Sequence, residues 1–194
     1  KWVDEEWTVE DLKEKIEPYA EIWALLSERG LFLGYKGKAL KVPASDAEIG
    51  GALARKHLRW HGYDLKQVFK ALRIENPMVK WDGMLAAYVA RPTNIGGFED
   101  IFEQYCGRKL PEFCGPAEQF TAHQELEVIL REKLVHQDGE GVFEKFDLPL
   151  VNVLAELERK GMRIDMEELK AQSKTLNDDI RRLETAIHKE AGEQ

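Results

Sequence analysis

The sequence predicts an α/β domain, a small sheet covered by helices, followed by a helical extension. Three observations carry that prediction. Short apolar runs bounded by turn residues fill the first sixty or so positions, as strands do. Longer runs with helical periodicity dominate from Asp64 onward. The last quarter, from Phe146 to the end, reads as two helices around a tight turn at Gly161. Strands early and helices late favour a sheet with helical cover. At 194 residues and 43% hydrophobic content, the chain is long enough to bury one sizeable core with a helical appendage.

Each element follows from local signals. Trp2-Val3 is expected as a short edge strand. Thr8-Val-Glu-Asp11 has the pattern of a capping box and opens a helix through Leu12 and Ile16. Glu21 to Leu26 and Leu31 to Tyr35 are apolar runs joined by Ser27-Glu-Arg-Gly30, a hairpin signal. Lys38 to Val42 adds a strand before Pro43. Ser45 is the N-cap of a helix with Ile49 and Leu53 on one face, a face that Leu58 would extend. Trp60-His-Gly ends a strand, and Asp64 to Leu72 forms a helix with Leu65, Val68, Phe69 and Leu72 inward. Asp82 to Ala90, Phe98 to Tyr105 and Ala117 to His136 complete the helices of the first part, with a loop at 109–116. In the C-terminal part, Asp165 caps a long helix whose Leu169, Leu176, Ile180, Leu183 and Ile187 lie on one seam.

Charge bounds the function. The chain carries 28 basic and 36 acidic residues, net −8. A domain that binds nucleic acid alone needs clustered Lys and Arg to displace counterions, so tight independent DNA binding is not expected. No run is apolar and long enough for a membrane span, and the N-terminal residues lack the apolar core of a signal peptide. Cys106 and Cys114 are too few for a disulfide framework and wrongly spaced for a zinc knuckle; reduced thiols in a cytoplasmic protein are expected.

The C-terminal wording carries a resemblance. Leu148-Pro-Leu-Val-Asn-Val-Leu-Ala-Glu-Leu-Glu-Arg-Lys-Gly-Met-Arg-Ile-Asp165 is similar to the L-P-x-x-x-V-L-A-x-x-E-x-x-G-x-x-I/V-D segment that opens the polymerase domain of family A DNA polymerases of the bacterial polymerase I type. Ala191-Gly192 sits where that family reads A-G-x-x-F-N, so a fragment of a larger enzyme is expected. Upstream, His61-Gly-Tyr-Asp-Leu-Lys-Gln-Val68 resembles the family's second exonuclease motif, roughly H-N-x-K-x-D. Trp81-Asp-Gly-Met-Leu-Ala-Ala-Tyr-Val-Ala90 resembles the helix that follows it. The resemblance covers Trp60 to the end and is weak from Lys1 to Val42. It implies an RNase H-like 3'-5' exonuclease fold, a small mixed sheet flanked by helices, over residues 1–145. It also implies the first, truncated thumb-base helices of a polymerase domain over 146–194.

Active members of that family use Mg or Mn in a two-metal mechanism, with ions about 4 Å apart. Hard dications take oxygen ligands, so four carboxylates are needed: a D-x-E on a strand, the Asp of the second motif and the Asp of a Y-x-x-x-D helix. Aligned on the second motif, Val68 takes the place of the Asp. The best match to the third, Phe120-Thr-Ala-His-Gln124, has Phe120 for the tyrosine and Gln124 for the acid. The first motif falls on either Leu31 to Gly37, with Gly34 and Lys36 at the acidic positions, or Glu21 to Leu26. The proofreading site is therefore expected to be vestigial, with no catalytic, metal or cofactor-binding residue and no cofactor in the fragment.

Other residue groups have plainer readings. Asp46-Ala-Glu48 and Asp4-Glu-Glu6 are D-x-E strings, but the first follows an N-cap, where acids favour the helix dipole, and the second lies at the chain start. Asp82 reads as a structural cap. Cys106, Cys114 and His123 lack a fourth zinc ligand, and the histidines 57, 61, 123, 136 and 188 join no nucleophile. Gly96-Gly97 is a turn without a phosphate-loop context. Lys36, Lys38 and Lys41 read as strand-edge lysines that block pairing, and Trp23, Trp60 and Trp81 as core.

The expected function is that of an exonuclease-like module of a DNA-directed DNA polymerase acting in replication and repair, itself inactive and structural. It would be a monomer that meets DNA only through the intact parent and touches no membrane. Two alternatives stay open. One is an active exonuclease with a displaced motif, its ligands among Asp46, Glu48, Asp64 and Asp82. The other is a protein-interaction domain using the Leu176, Ile180, Leu183 and Ile187 stripe.

Overall fold

The computed structural model describes residues 1–27, 30–92, 96–111 and 114–192. Among them, the strands β1 (Val3–Glu6), β2 (Glu21–Ser27), β3 (Gly30–Tyr35), β4 (Lys38–Lys41), β5 (Arg59–Gly62) and β6 (Met78–Asp82) form one sheet in the order β1-β4-β3-β2-β5-β6. The β2–β3 and β3–β4 pairs are antiparallel and the other three parallel, so the sheet is mixed. The turn expected between Ser27 and Gly30 lies partly outside the described residues.

Caps set the helix starts as the sequence predicts. Thr8 and Asp11 form a reciprocal capping box at α1 (Val9–Lys15), and Ser45 and Glu48 form another at α2 (Asp46–Leu53). The helices α3 (Leu65–Leu72), α4 (Gly83–Ala90), α5 (Phe98–Cys106) and α6 (Pro116–His136) follow. A short turn α7 (Glu140–Val142) and a wide π-helical turn at Phe143–Asp147 lead into α8 (Leu148–Lys160). Helix α2 ends at Leu53, so Leu58 lies beyond its face. Strand β6 is not among the elements that the sequence predicts. Its Met78-Val-Lys80 half is largely solvent-facing and shows no apolar alternation.

Strand alternation sorts the core onto two faces. Ile22, Ala24, Leu33 and Leu40 turn toward α1, α2 and α3, where they pack with Leu12, Ile49, Trp60, Val68 and Phe69. Their neighbours Leu25, Phe32 and Ala39 turn the other way, onto Trp2 and Phe120 of α6. A further cluster joins α4, α5 and α6 around Trp81, Phe102, Leu126, Leu130 and Phe143. Burial of these large side chains, each about 1.5–3 kcal/mol, is the main stabilising term.

The chain divides into two compact units, Lys1–Arg159 and Lys160–Gln194. Most of α8 belongs to the first, anchored by buried Leu148 and Val151. The second holds α9 (Met166–Ala191), whose N-cap Asp165 accepts from the N–H groups of Glu167 and Glu168. Along α9, Leu169, Leu176, Ile180, Leu183 and Ile187 are all exposed. The glycine turn before it has Gly161 at φ 69°, a conformation that favours glycine.

Candidate functional site

In open α/β sheets, binding sites form outside the carboxyl ends of parallel strands. Strands β2 and β5 are such a pair, and at their carboxyl ends lies a cleft of about 840 Å³. Leu26 and Ser27 enter from β2, Tyr63, Asp64 and Gln67 from the β5–α3 junction, and Phe98, Glu99, Asp100 and Glu103 from α5. Lys109 to Pro111, Cys114 and Gln119 complete the wall.

The β5–α3 junction is built by Asp82 at the end of β6. This carboxylate is fully buried and accepts from the backbone N–H groups of Asp64 (3.1 Å), Leu65 (2.8 Å), Met84 (3.0 Å) and Leu85 (3.4 Å). It therefore closes one helix start and caps another, as the sequence predicts for a structural acid. Burial outweighs these donors and pushes its carboxyl up to about 6. Asp64, which α3 uses as its N-cap residue at φ 50°, faces the cleft with one carboxylate oxygen buried and without a hydrogen-bond partner. Desolvation raises its pKa.

Aromatic rings form the other side. Phe98 and the His123 imidazole stack with centroids 3.6 Å apart and planes 5° apart, and Tyr63 meets both edge-on. Burial pushes His123 down to about 3, so the ring is neutral at physiological pH. The Tyr63 phenol is pushed up by burial and by nearby acids, and it donates to the Gly96 carbonyl.

The motif residues are distributed as follows. Strand β2, not Leu31 to Gly37, lies beside the second motif. From Ile22 to Ser27 it carries no acid, and Glu21 sits at its far end in a different hollow. Val68 is fully buried among core side chains rather than on the cleft. The third motif needs a correction of one residue. Phe120 is buried against Trp2, and Gln124 accepts from the Trp2 indole N–H at 3.0 Å, both away from the cleft. One turn apart on the cleft side of α6 are Gln119, in its wall, and His123, against Phe98 and Tyr63. A shift by one residue turns a helix by about 100°, so Gln119 and His123, rather than Phe120 and Gln124, take the cleft side.

Asp46 and Glu48 lie in the α2 cap, with Glu48 bound to Ser45. Asp4 accepts from the Ala117 N–H at the start of α6, and Glu5 pairs with Lys38. The lysines are not on a strand edge, because β1 covers β4. Lys36 and Lys38 are paired with Glu17 and Glu5. Trp60 and Trp81 are core, and Trp23 is partly buried against the cluster that holds Trp2 and Phe120. Cys114 is buried and Cys106 half-buried. Among the described residues, no three His, Cys, Asp or Glu side chains converge as a cation cage. No helix of these residues is long and apolar enough to cross a membrane.

No family model matches the chain. It is 27% identical over 156 residues to DNA polymerase I of Bacillus subtilis (strain 168), covering 70% of this chain and 16% of that protein. DNA polymerase I of Geobacillus stearothermophilus is 25% identical over 194 residues, covering 88% and 22%. The POL domain of Pol1 from M. smegmatis, solved with DNA primer-template and dNTP, superposes with a TM-score of 0.62 at 21% identity over 89% of this chain and 34% of that one. This chain is similar to a segment of bacterial DNA polymerase I. It spans about a fifth of the polymerase I chains it matches. Brucella melitensis NrnC bound to pGG matches with a TM-score of 0.56 at 12% identity, over 86% of this chain and 98% of that one. That last likeness is one of fold, and it agrees with the RNase H-like α/β architecture expected from the polymerase I resemblance.

Proposed function

We propose that this chain is the exonuclease-like module of a longer polymerase I-type protein, that its proofreading metal site has been lost, and that it acts as a structural support. The observation that carries this reading is the set of side chains at the three motif positions. Two-metal hydrolysis needs charged oxygen ligands, and those positions offer an apolar β2, a core-buried Val68, and Gln119 with a neutral His123 on α6. Neither a valine nor a buried neutral imidazole offsets the charge of two dications.

In this reading residues 146–194 begin the polymerase domain. The longer protein, in the cytoplasm, extends primers in replication and repair and supplies the contacts to DNA. The segment alone is a monomer, needs no cofactor and binds DNA weakly or not at all, in keeping with its net charge of −8.

A second reading, a working metal-dependent nuclease, draws on the carboxylates that do line the cleft, Asp64, Glu99, Asp100 and Glu103. Asp46 and Glu48 do not serve it, since both lie in the first turn of α2, off the cleft wall, and Ser45 engages Glu48. Calorimetric titration of Mn²⁺ into the chain, with a single-stranded oligonucleotide trimming assay, separates the two. The structural module predicts no specific metal binding and no trimming. Chelator-sensitive trimming that Asp64→Asn abolishes would establish the nuclease instead.

A further inference from the structure

A hollow of about 480 Å³ opens where the C-terminal ends of α4 and α6 approach α5. Arg91, Gln104, Tyr105, Lys133 and Gln137 line it together with Ala90, so it holds two cations and no carboxylate. In a chain of net charge −8 that local balance is unusual. Lys133 has Ile129 and Gln137 as its neighbours one turn away on α6, so no acid is within helical reach. Its ammonium lies 5.5 Å from the centroid of the Tyr105 ring. Among the described residues, neither Arg91 nor Lys133 has a carboxylate partner, whereas Lys36, Lys38, Lys66 and Lys70 are all ion-paired.

Cations at helix C-termini often serve the terminal carbonyls. Here backbone groups already do so. The Arg91 N–H donates to the Ala87 carbonyl at 3.0 Å, the Gln137 N–H to Lys133 at 3.0 Å, and the Gly139 N–H to Leu134 at 2.9 Å. The two side chains make no hydrogen bond to those carbonyls, unlike Lys56, whose ammonium donates to the carbonyls of Lys13 and Ile16.

We propose that this hollow is an anion site for a phosphate-type oxyanion, gripped by the Arg91 fork and the Lys133 ammonium, with Gln104, Tyr105 and Gln137 as neutral donors. A planar guanidinium matches two phosphate oxygens at once, and an ammonium supplies a second charge in the same hollow. Desolvation raises the Tyr105 phenol, so its hydroxyl remains a donor throughout the neutral range. Free phosphate and the backbone of a nucleic acid share this chemistry.

The test is amide NMR titration of the full chain with inorganic phosphate and, separately, with a single-stranded oligonucleotide, each against chloride at matched ionic strength. Saturable shifts at Arg91, Tyr105 and Gln137 with either ligand are expected. The Arg91→Gln, Lys133→Gln double variant should weaken binding about ten-fold or more, as loss of charge-assisted hydrogen bonds does. Phosphate binding without competition by the oligonucleotide would mark a free-phosphate site. Tighter, steeply salt-dependent oligonucleotide binding would mark a backbone contact. Chloride shifts equal to those of both ligands would overturn the proposal, as would unchanged affinity in a double variant that melts like the parent.

Discussion

The carboxylate of Asp82 accepts the backbone N–H of Leu65 at 2.8 Å, so an acid at the end of β6 fixes the start of a helix that follows its neighbour β5. Three more N–H groups, of Asp64, Met84 and Leu85, converge on the same side chain. Asp82→Ala would strand buried donors, each costing about 1–3 kcal/mol. A loss of about 3 kcal/mol or more in urea unfolding is expected. A loss below about 1 kcal/mol would mean that water replaces the carboxylate.

The pH dependence of stability tests the same region. Asp82 titrates near 6 when folded and near 3.9 when unfolded, so the folded state binds more protons between those values. Its contribution is therefore largest at low pH and is lost as pH rises from about 4 to about 6. His123 runs the other way. Its folded value, about 3, lies below the unfolded 6.5, so stability is lost as pH falls through that window. In His123→Phe the acid loss disappears while the ring stack on Phe98 is kept. The variant should gain on the parent below about pH 6.5, by up to about 1.4 kcal/mol per pH unit. Parallel stability curves for the two proteins from pH 4.5 to 7 would refute the assignment.

Local chemistry in this chain was legible in the sequence, and long-range placement was not. The Thr8–Asp11 and Ser45–Glu48 boxes depend on residues three apart and appear as expected. The lysines of β4 look like edge residues in the sequence but are not, because the covering strand β1 pairs across more than thirty positions. The sequence does not show which face of α6 meets the cleft, because nothing local distinguishes one face from the other. Phe120 faces Trp2, and His123 takes the cleft side. The hollow at Arg91 and Lys133 is illegible for the same reason, since neither residue has a distinctive local setting.

Close approach of two helices makes Gly50 a sharp test of the fold. A Cβ there would lie 1.8 Å from the Leu72 carbonyl oxygen, whereas one at Gly51 would meet nothing within 4 Å. Both glycines lie inside α2, where alanine is favoured by about 1 kcal/mol on propensity alone. Gly50→Ala should therefore destabilise by about 3 kcal/mol or more through overpacking against backbone. Gly51→Ala should be neutral or slightly stabilising. Equal melting temperatures for the two variants would show that α2 and α3 do not cross as closely as described.

Reinstating an acid at position 68 should cost stability before it yields chemistry. Val68 is fully buried with Leu65, Phe69 and Leu72 in the core against the sheet. An aspartate there loses apolar contacts and must be desolvated, so Val68→Asp is expected to lose about 3 kcal/mol or more at neutral pH. The loss should shrink on acidification as the carboxyl becomes neutral. A variant as stable as the parent at pH 7 would mean that the side chain reaches the cleft, and it would revive the case for a metal site.

The second half of α8 should be held electrostatically. Leu148 and Val151 bury the first half, but Leu150, Val153, Leu154 and Leu157 are exposed. Beyond them Glu158 receives Lys66 at 2.7 Å and Lys70 at 2.6 Å, and Arg159 pairs with Glu75 at 2.6 Å. Hydrogen bonds from the two lysines depress Glu158 to about 2, so this contact is complete above about pH 4.3 and fades as pH falls through 2. Salt screens exposed pairs of this kind, with a Debye length of about 8 Å at 0.15 M and about 3 Å at 1 M. Amides 155–160 should exchange faster in Glu158→Gln and, in the parent, faster at high salt, while α6 is unaffected. The variant should have lost most of that salt response. Identical exchange in both proteins at every salt concentration would mean that Leu148 and Val151 alone dock the helix.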